Sequence, residues 1–260
     1  MKKPILSVII PAHNEEAFIG KCLDSLSKQT LEKKYFEVIV VNNASKDGTA
    51  KIARKYNVRV INENKKSVVL ARQKGVDVAK GEIIVSGDAD TTYPPNWLKK
   101  IKSDFDRSQR LIAVAGWIYY TQTPTVFNIF NAMNQEINLF LQKYTGRFPI
   151  AYAANLAFRK SALAAIGGYP KHLVELGDQQ YLLYRFFRLG KVIIDPGIRC
   201  FTSGRRLQSV GRDIFVYNGW YRIVGYIVNR LTKRETIGAA PAVRTITSGK
   251  RGTSMFRDRP

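Results

Sequence analysis

Along residues 5–200, short apolar runs alternate with stretches whose apolar residues recur every three or four positions. Residues 5–11, 36–41, 58–61, 83–85, 111–116, 153–159 and 192–194 are β-branched or aromatic runs of strand length. Between them, Phe18, Ile19, Cys22, Leu23 and Leu26 fall at helical spacing, as do Ile52, Ala53 and Tyr56. Residues 68–79, 96–105, 160–166 and 178–189 extend the same rhythm. Residues 125–143 predict an amphipathic helix with an apolar stripe of Val126, Phe127, Phe130, Met133, Ile137, Phe140 and Leu141. Its Asn131, Gln135, Glu136 and Asn138 argue against a membrane span. Strands alternating with helices predict an α/β fold with a mainly parallel central sheet flanked by helices and right-handed crossovers. Ligands in such sheets bind beyond the carboxyl ends of the strands. The polar clusters at 11–15, 42–49 and 88–90 all fall at such ends.

The 88–90 cluster carries the most chemistry. Gly87 ends the run Ile83-Ile84-Val85-Ser86, and Asp88 and Asp90 follow at i and i+2. On an extended strand these side chains would point to opposite faces. At a bend after a glycine they can meet on one cation instead. Carboxylate oxygens are hard ligands suited to Mg²⁺ or Mn²⁺, and Mg²⁺ typically takes one or two of them together with substrate phosphates. The expectation is a metal–diphosphate platform at the carboxyl end of the fourth strand, against a solvated acidic turn as the plain alternative.

Composition narrows the partners. The chain has 260 residues, 45% of them hydrophobic, which is ordinary for a globular protein. Its 42 Lys and Arg against 20 Asp and Glu give a net charge of +22, a balance that attracts polyanions: nucleic acid, phosphorylated substrates or an anionic membrane face. The two cysteines, Cys22 and Cys200, are too few for a metal or disulfide framework. Residues 1–4 lead straight into a strand without a cleavage-site pattern, and no run of about 18 apolar residues occurs. These features predict a cytoplasmic protein, with a peripheral position on the inner face of the cell membrane as the variant.

From residue 199 onward thirteen Lys and Arg face three Asp and Glu. Ile214, Tyr217, Tyr221, Val224, Val228 and Leu231 form a helical seam, broadened by Phe215, Trp220 and Ile223 and flanked by Arg222, Arg230, Lys233 and Arg234. Such a helix can lie in a headgroup layer or dock on its own domain. The expected organisation is a catalytic domain over 1–205, an amphipathic helical extension over 206–237 and a flexible basic tail over 238–260.

The segments Ser7-Val-Ile-Ile-Pro-Ala-His-Asn-Glu15, Val41-Asn-Asn-Ala-Ser-Lys-Asp-Gly-Thr49, Asp88-Ala-Asp90 and Asn155…Gly167-Gly-Tyr169…Asp178 resemble the inverting family-two glycosyltransferases with the nucleotide-diphospho-sugar transferase (GT-A) fold. The resemblance covers roughly residues 5–200. It implies that Pro11, Ala12 and Glu15 wrap the nucleoside, that Asn43 sits near base and ribose, and that Arg72 reaches the phosphates. It implies Asp90 as the direct metal ligand, with Asp88 on the ribose or a metal-bound water. Arg205 and Arg206 would close over the diphosphate. Asp178 would be the general base that takes the acceptor hydroxyl's proton, with Glu175 as substitute. Where the family usually carries Asp, this chain has Asn42 and Asn43, which leaves the nucleobase open. His13 and His172 stand alone and receive no role.

Three functions compete on the residues. The first is a metal-dependent inverting glycosyltransferase acting on a lipid-linked or glycan acceptor near a membrane. The second is a nucleic-acid-binding protein, motivated by charge alone and disfavoured because no nucleic-acid motif appears. The third is a nucleotidyltransferase, whose glycine-rich phosphate loop is missing from Pro11–Glu15.

Overall fold

The computed structural model describes residues 3–170 and 177–205, with Gly177 and Asp178 defined by backbone alone. Asp178's side chain, together with Glu175, His172, Arg206 and the whole expected extension and tail, therefore lies outside the described residues.

Eight strands form one mixed sheet in the order β3-β2-β1-β4-β7-β6-β8-β5. Strands β1 (Leu6–Ala12), β2 (Phe36–Asn43), β3 (Arg59–Glu63) and β4 (Ile83–Ser86) are mutually parallel. Beyond β4, β7 (Leu156–Arg159) runs antiparallel to both β4 and β6 (Leu111–Thr121). Strand β8 (Lys191–Ser203) is parallel to β6, and the two-residue β5 (Thr91–Thr92) closes the edge antiparallel to β8. The mainly parallel α/β sheet expected from the apolar rhythm is therefore present.

Alternation along β1 divides the core. Leu6, Val8 and Ile10 face one layer with α1 (Ile19–Ser27) and α4 (Trp97–Arg107), whose Ile19, Leu23, Trp97 and Leu98 are buried there. Ile9 joins Ile39, Val41 and Ile84 on the other face, beneath α3 (Val68–Val78), α6 (Lys160–Ala165) and α7 (Gly177–Leu189). Helix α3 begins at Ser67, whose hydroxyl accepts from the Leu70 amide at 3.3 Å. Just before the short α2 (Thr49–Ala53), the Asp47 side chain accepts from the Thr49 amide at 3.0 Å.

Three elements differ from expectation. Strand β6 runs five residues past Gly116, because Trp117–Thr121 find partners in Arg199–Ser203 of β8. A bulge over residues 196–198 lets β8 keep pairing despite Pro196, which has no amide to donate. Residues 153–155 form a 3-10 turn rather than the start of a strand, and this sets Asn155 under the centre of the sheet.

The largest difference is the face of α5 (Thr125–Thr145) that turns inward. Asn131, Gln135 and Asn138 are the buried residues, while Val126, Ile129, Met133, Ile137, Phe140 and Tyr144 are 39–66% exposed. The reason lies in β6. Its pairing with β7 stops at Ala115, so the backbone groups of Ile118 and Tyr120 lack a strand neighbour on that side. The Asn128 side chain accepts from the Tyr120 amide at 2.9 Å and donates to its carbonyl at 2.8 Å. Gln135 accepts from the Ile118 amide at 2.8 Å, and both Asn131 and Gln135 donate to the Ile118 carbonyl. The Asn138 and Gln142 side chains accept from the amides of Ile150 and Ile194. Carboxamides spaced three and four apart thus stand in for a missing strand, since a buried backbone group left without a partner would cost more than an exposed apolar side chain.

Candidate active site

The site is built at the carboxyl ends of β1, β2 and β4. After Ala12 the chain turns through His13 and Asn14, whose φ of 55° is a left-handed conformation that asparagine tolerates. After Asn43 it turns through Ala44, with φ 53°. The two loops are laced together. The Asn14 amide donates to the Ser45 hydroxyl at 3.1 Å, and the Lys46 amide donates to Asn14 Oδ1 at 2.8 Å. The Glu15 amide donates to Thr49 Oγ1 at 2.7 Å, and the Glu16 amide to Asp47 at 3.2 Å. Burial pushes the Asp47 carboxyl up, but hydrogen bonds from the Thr49 hydroxyl and from the Thr49 and Glu16 amides outweigh it and hold the group below its ordinary value.

Asn43 is buried, and its carboxamide is committed to the β3–α3 loop. It donates to the Lys65 carbonyl at 2.7 Å and accepts from the Ser67 amide at 3.1 Å. What it presents toward the β1 loop is its backbone carbonyl, 2.6 Å from His13 Nδ1. His13, given no role on sequence grounds, is therefore part of this wall. Pro11 and Ala12 are buried in the last turn of β1, where the Ala12 carbonyl accepts from Ser45.

The acidic turn is held from below. The Gly87 amide donates to the Ile9 carbonyl at 3.1 Å, and a Cβ at this position would stand 2.5 Å from the Tyr93 hydroxyl and 2.6 Å from Ile10 Cδ1. Only glycine lets the chain bend this close to β1. The Asp88 amide donates to the Tyr93 hydroxyl at 2.9 Å. Tyr93 stacks on Trp97, with ring centroids 3.9 Å apart. The Trp97 indole donates to Asn155 Oδ1 at 2.8 Å, and Asn155 Nδ2 donates to the carbonyls of Trp117 and Ile198. Asn155 thus ties the turn to β6 and β8, a positioning role that its place in the motif does not disclose.

Each carboxylate of the turn faces an arginine from a different element. Arg72 of α3, almost fully buried, donates to Asp88 Oδ1 at 3.0 Å. Arg205, at the end of β8, lies 3.4 Å from Asp90 Oδ2 and donates to both oxygens of Glu15 at 2.6 and 2.5 Å. Its guanidinium sits over the Phe18 ring, 4.0 Å from the centroid. Thr202 contacts Asp90 Oδ1 at 3.5 Å, and the Ser203 amide donates to the Asp90 carbonyl at 3.0 Å. The structure therefore gathers Glu15, Arg72, Asp88, Asp90 and Arg205. Glu15 anchors Arg205. The Glu15–Arg205 link spans 190 positions and joins the first loop to the last strand. No local pattern announces such a pairing.

Asp88 and Asp90 fit a hard divalent ion of the kind that takes one or two carboxylates and completes its shell with phosphate and water oxygens. Among the described residues no group of three or more His, Cys, Asp or Glu assembles, so a cage made only of protein ligands is not formed there. Cys22 lies under the turn, its thiol 3.5 Å from the Asp88 carbonyl. Burial first, then the charges of Asp90, Asp88 and Glu15, push it far above the ordinary thiol range. As expected from its apolar neighbours, Cys22 is a buried core thiol.

Helix α7 starts at Gly177, so residue 178 sits in its first turn. Leu182, Leu183 and Phe186 bury the helix on the sheet. The glycine pair before it takes φ values of 83° and 90°, and the amide of Tyr169 donates to Gln73 of α3 at 2.8 Å. Among the described residues no helix is long and apolar enough to cross a membrane.

Solved structures share this architecture. A mannosyltransferase from Pyrobaculum calidifontis, solved with GDP-mannose and Mn²⁺, superposes with a TM-score of 0.67 at 23% identity, over 93% of this chain and 67% of that one. S. aureus TarS in complex with UDP-GlcNAc gives 0.62 at 19% identity, over 76% and 58%. At these identities the likeness shows the fold, which is that of the GT-A glycosyltransferases. In sequence, the glycosyltransferase AglE of Haloferax volcanii is 29% identical over 181 residues, 67% of this chain and 59% of AglE. Streptococcus pneumoniae GlyG is 25% identical over 230 residues, 81% and 74%. The chain thus spans less than two thirds of AglE's length. Residues 7–167, well over half of the chain and the span that holds strands β1 to β7 apart from Leu6, match the family described as Glycosyl transferase family 2, and the protein belongs to that family.

Proposed function

We propose that this protein is an inverting glycosyltransferase that moves a sugar from a nucleotide-diphospho-sugar to an acceptor hydroxyl, with the acceptor lipid-linked or otherwise held near a membrane. The observation that carries the reading is the meeting of Arg72–Asp88 and Glu15–Arg205–Asp90 at the carboxyl ends of β1 and β4. Two cations and three carboxylates at one strand end suit a ligand that brings its own negative charge and a counter-ion. The fold's ligand position beyond the strand ends agrees with this. So does the family, whose structural neighbours include proteins solved with GDP-mannose, UDP-GlcNAc and Mn²⁺.

In this reading the laced loops at 11–15 and 42–49 form the nucleoside wall, with Pro11 and Ala12 at its floor and Asn43 holding its rim. Arg72 and Arg205 supply fixed positive charge for the diphosphate, Arg72 from a buried and rigid position. Arg206 follows Arg205 in sequence and adds to that charge. Asp90, with Asp88, would hold Mg²⁺ or Mn²⁺, and a divalent ion there would neutralise charge on the departing nucleoside diphosphate. Asp178 is the general base. The first turn of a helix favours its ionised form, which is the form that accepts the hydroxyl proton as the acceptor attacks from the face opposite the leaving group. The membrane clause rests on the basic, aromatic stretch 207–237, and nucleic acid is not the expected polyanion.

A thermal-shift screen of nucleoside diphosphates and their sugars with Mn²⁺ tests the reading, because a ligand that binds only the folded state stabilises it in proportion to its affinity. One nucleoside diphosphate should raise Tm by several degrees in the wild type and not in Asp90→Ala. Absence of any stabilisation across all five bases would overturn it. Asp178→Asn should retain that shift while losing transfer by at least about a thousandfold, within the range set by a lost general base and its charge. Transfer at the wild-type rate would remove Asp178 from the role.

A further inference from the structure

Strand β4 carries charge at both of its ends. The acidic turn stands at the carboxyl end. At the other, roughly 20 Å away at about 3.3 Å per residue, a cleft of about 410 Å³ opens beside Gly81 and Glu82. That volume lies within the roughly 300–1,000 Å³ of small-molecule sites. Lys3, Lys80, Arg159 and Lys160 line the cleft, with Glu82 as the one carboxylate on it and Ala79 as the one apolar side chain. Among the described residues none of these four cations forms an ion pair, and neither does Glu82. Like charges gathered round one cleft repel one another, and an anion bound among them removes that repulsion.

The cleft has rigid walls. One side is the segment 79–82, pressed against β1: a Cβ on Gly81 would stand 2.7 Å from the Leu6 carbonyl carbon and from the Ser7 nitrogen. The Gly81 amide donates to the Ser7 hydroxyl at 2.8 Å, and that hydroxyl donates to Glu37 Oε1 at 2.7 Å. The Lys80 amide donates to the same carboxylate oxygen at 2.6 Å, and the Lys160 amide donates to the Glu82 carbonyl at 2.8 Å. Two of the cations are themselves held in place. Lys160 Nζ donates to the Ala79 carbonyl at 2.7 Å, and Arg159 Nε to the Leu111 carbonyl at 2.8 Å. The Arg159 guanidinium also lies 5.4 Å from the centre of the Phe105 ring. These carbonyl partners fix both side chains without neutralising either charge, so little freedom is left to lose when a ligand arrives. Lys160 keeps two N–H groups, and Arg159 Nη1 donates to nothing among the described residues. Lys3 and Lys80 are exposed and can swing onto an anion from the open side.

We propose that this cleft binds a phosphate group, carried by a small phosphorylated molecule or by the headgroup of an anionic lipid. Arg159 and Lys160 are its fixed contacts, and Lys3 and Lys80 its adaptable ones. The surplus of cations suits a dianion, the guanidinium fork matches phosphate oxygens, and lysine serves them as a point charge. Three phosphate oxygens can meet Arg159, Lys160 and a third donor together, such as the Ser161 hydroxyl on the same lining. None of these residues belongs to the cluster at the carboxyl end of β4.

Lysine footprinting of the full-length protein tests this at the site itself. Acetylation by an amine-reactive ester, followed by peptide mass spectrometry, is compared with and without inorganic phosphate at matched ionic strength. With phosphate a few-fold above its Kd, modification of Lys80 and Lys160 should slow at least about threefold, following 1 + [L]/Kd. The exposed Lys21 and Lys28 should react at unchanged rates. The Lys80 side chain makes no hydrogen bond or ion pair among the described residues, so Lys80→Glu should keep the wild-type Tm. It should weaken phosphate protection of Lys160 at least about tenfold, the worth of one charge-assisted hydrogen bond. Glycerol 3-phosphate and vesicles of phosphatidic acid in phosphatidylcholine separate the two sources. Protection by the free phosphates assigns a soluble ligand, and protection by the vesicles alone assigns a lipid headgroup; either supports the site. Protection that sodium chloride reproduces, that extends equally to Lys21 and Lys28, or that Lys80→Glu leaves unchanged would overturn it. So would the absence of protection from all three probes.

Discussion

Replacing Arg205 by alanine isolates the contact that closes the candidate site. The guanidinium serves two carboxylates, Glu15 at 2.6 and 2.5 Å and Asp90 at 3.4 Å, whose side chains are only 7% and 11% exposed. Removing one member of a fully buried ion pair costs about 3–5 kcal/mol, because the other is left desolvated without a counter-charge. Arg205 itself is 30% exposed, so water can enter where its side chain stood and reduce that cost to about 2 kcal/mol. Lost stacking on Phe18 adds up to about 1 kcal/mol. For a chain of this size each kcal/mol lowers Tm by about 2–4 °C, so Arg205→Ala should melt about 4–10 °C below the wild type. The double variant Glu15→Gln/Arg205→Ala should recover at least about 1 kcal/mol of the loss, because the stranded carboxylate is gone. Urea denaturation of the four members of this cycle supplies the numbers. Additivity within about 0.5 kcal/mol would refute the coupling. Nucleoside diphosphate affinity, measured by calorimetry with Mn²⁺, should fall about 10- to 100-fold in Arg205→Ala, as expected for a lost charge-assisted hydrogen bond.

Three further outcomes follow from the same geometry. Gln135→Leu should destabilise the protein by about 1–3 kcal/mol in urea titration, because its carboxamide satisfies the Ile118 amide at the open edge of β6, although leucine is the more apolar residue. Gly116→Ala places a methyl 2.3 Å from Asn155 Nδ2 and 2.4 Å from the Ile198 carbonyl, and should lower Tm and weaken nucleotide binding together by displacing the Asn155–Trp97–Tyr93 support of the acidic turn. Asp104 is pushed up from 3.8 to about 6 by burial and then by the charge of Asp195 and a shared hydrogen bond, with Arg107 opposing. A carboxyl that holds its proton more tightly when folded gives its stability in full below about pH 4 and loses it as pH rises toward 6. Asp104→Asn should therefore be more stable than the wild type at pH 7 by about 1–3 kcal/mol, with the difference vanishing near pH 4, as thermal melts across that range would show.

The parallel half of the sheet was legible because β1, β2 and β4 are continuous apolar runs, each ended by residues that cannot stay in a buried strand. Local chemistry also marked the acidic turn, since Gly87-Asp-Ala-Asp90 states both the bend and the ligands. What escaped detection depended on distant partners. The two residues of β5 are a strand only because β8 lies beside them, and the second half of β6 exists only because β8 resumes after its bulge. The α5 helix shows the sharper lesson. Its apolar stripe was visible, but the inward face was decided by backbone groups of Ile118 and Tyr120 that no side-chain pattern reveals. At the site, Asp88, Asp90, Arg72 and Arg205 were named from sequence and do come together. The pairing of Arg205 with Glu15, the platform of Phe18 beneath it and the support from Asn155 arise from long-range closure of the fold.

The central claim is that a sugar, not a nucleotidyl group, is transferred at this cluster. Incubating the protein with the nucleotide sugar that stabilises it most, and following phosphorus species by ³¹P nuclear magnetic resonance, addresses it directly. The account predicts accumulation of free nucleoside diphosphate, slow without acceptor, that disappears in Asp90→Ala. Release of pyrophosphate or nucleoside monophosphate, or diphosphate release unchanged by that substitution, would contradict it.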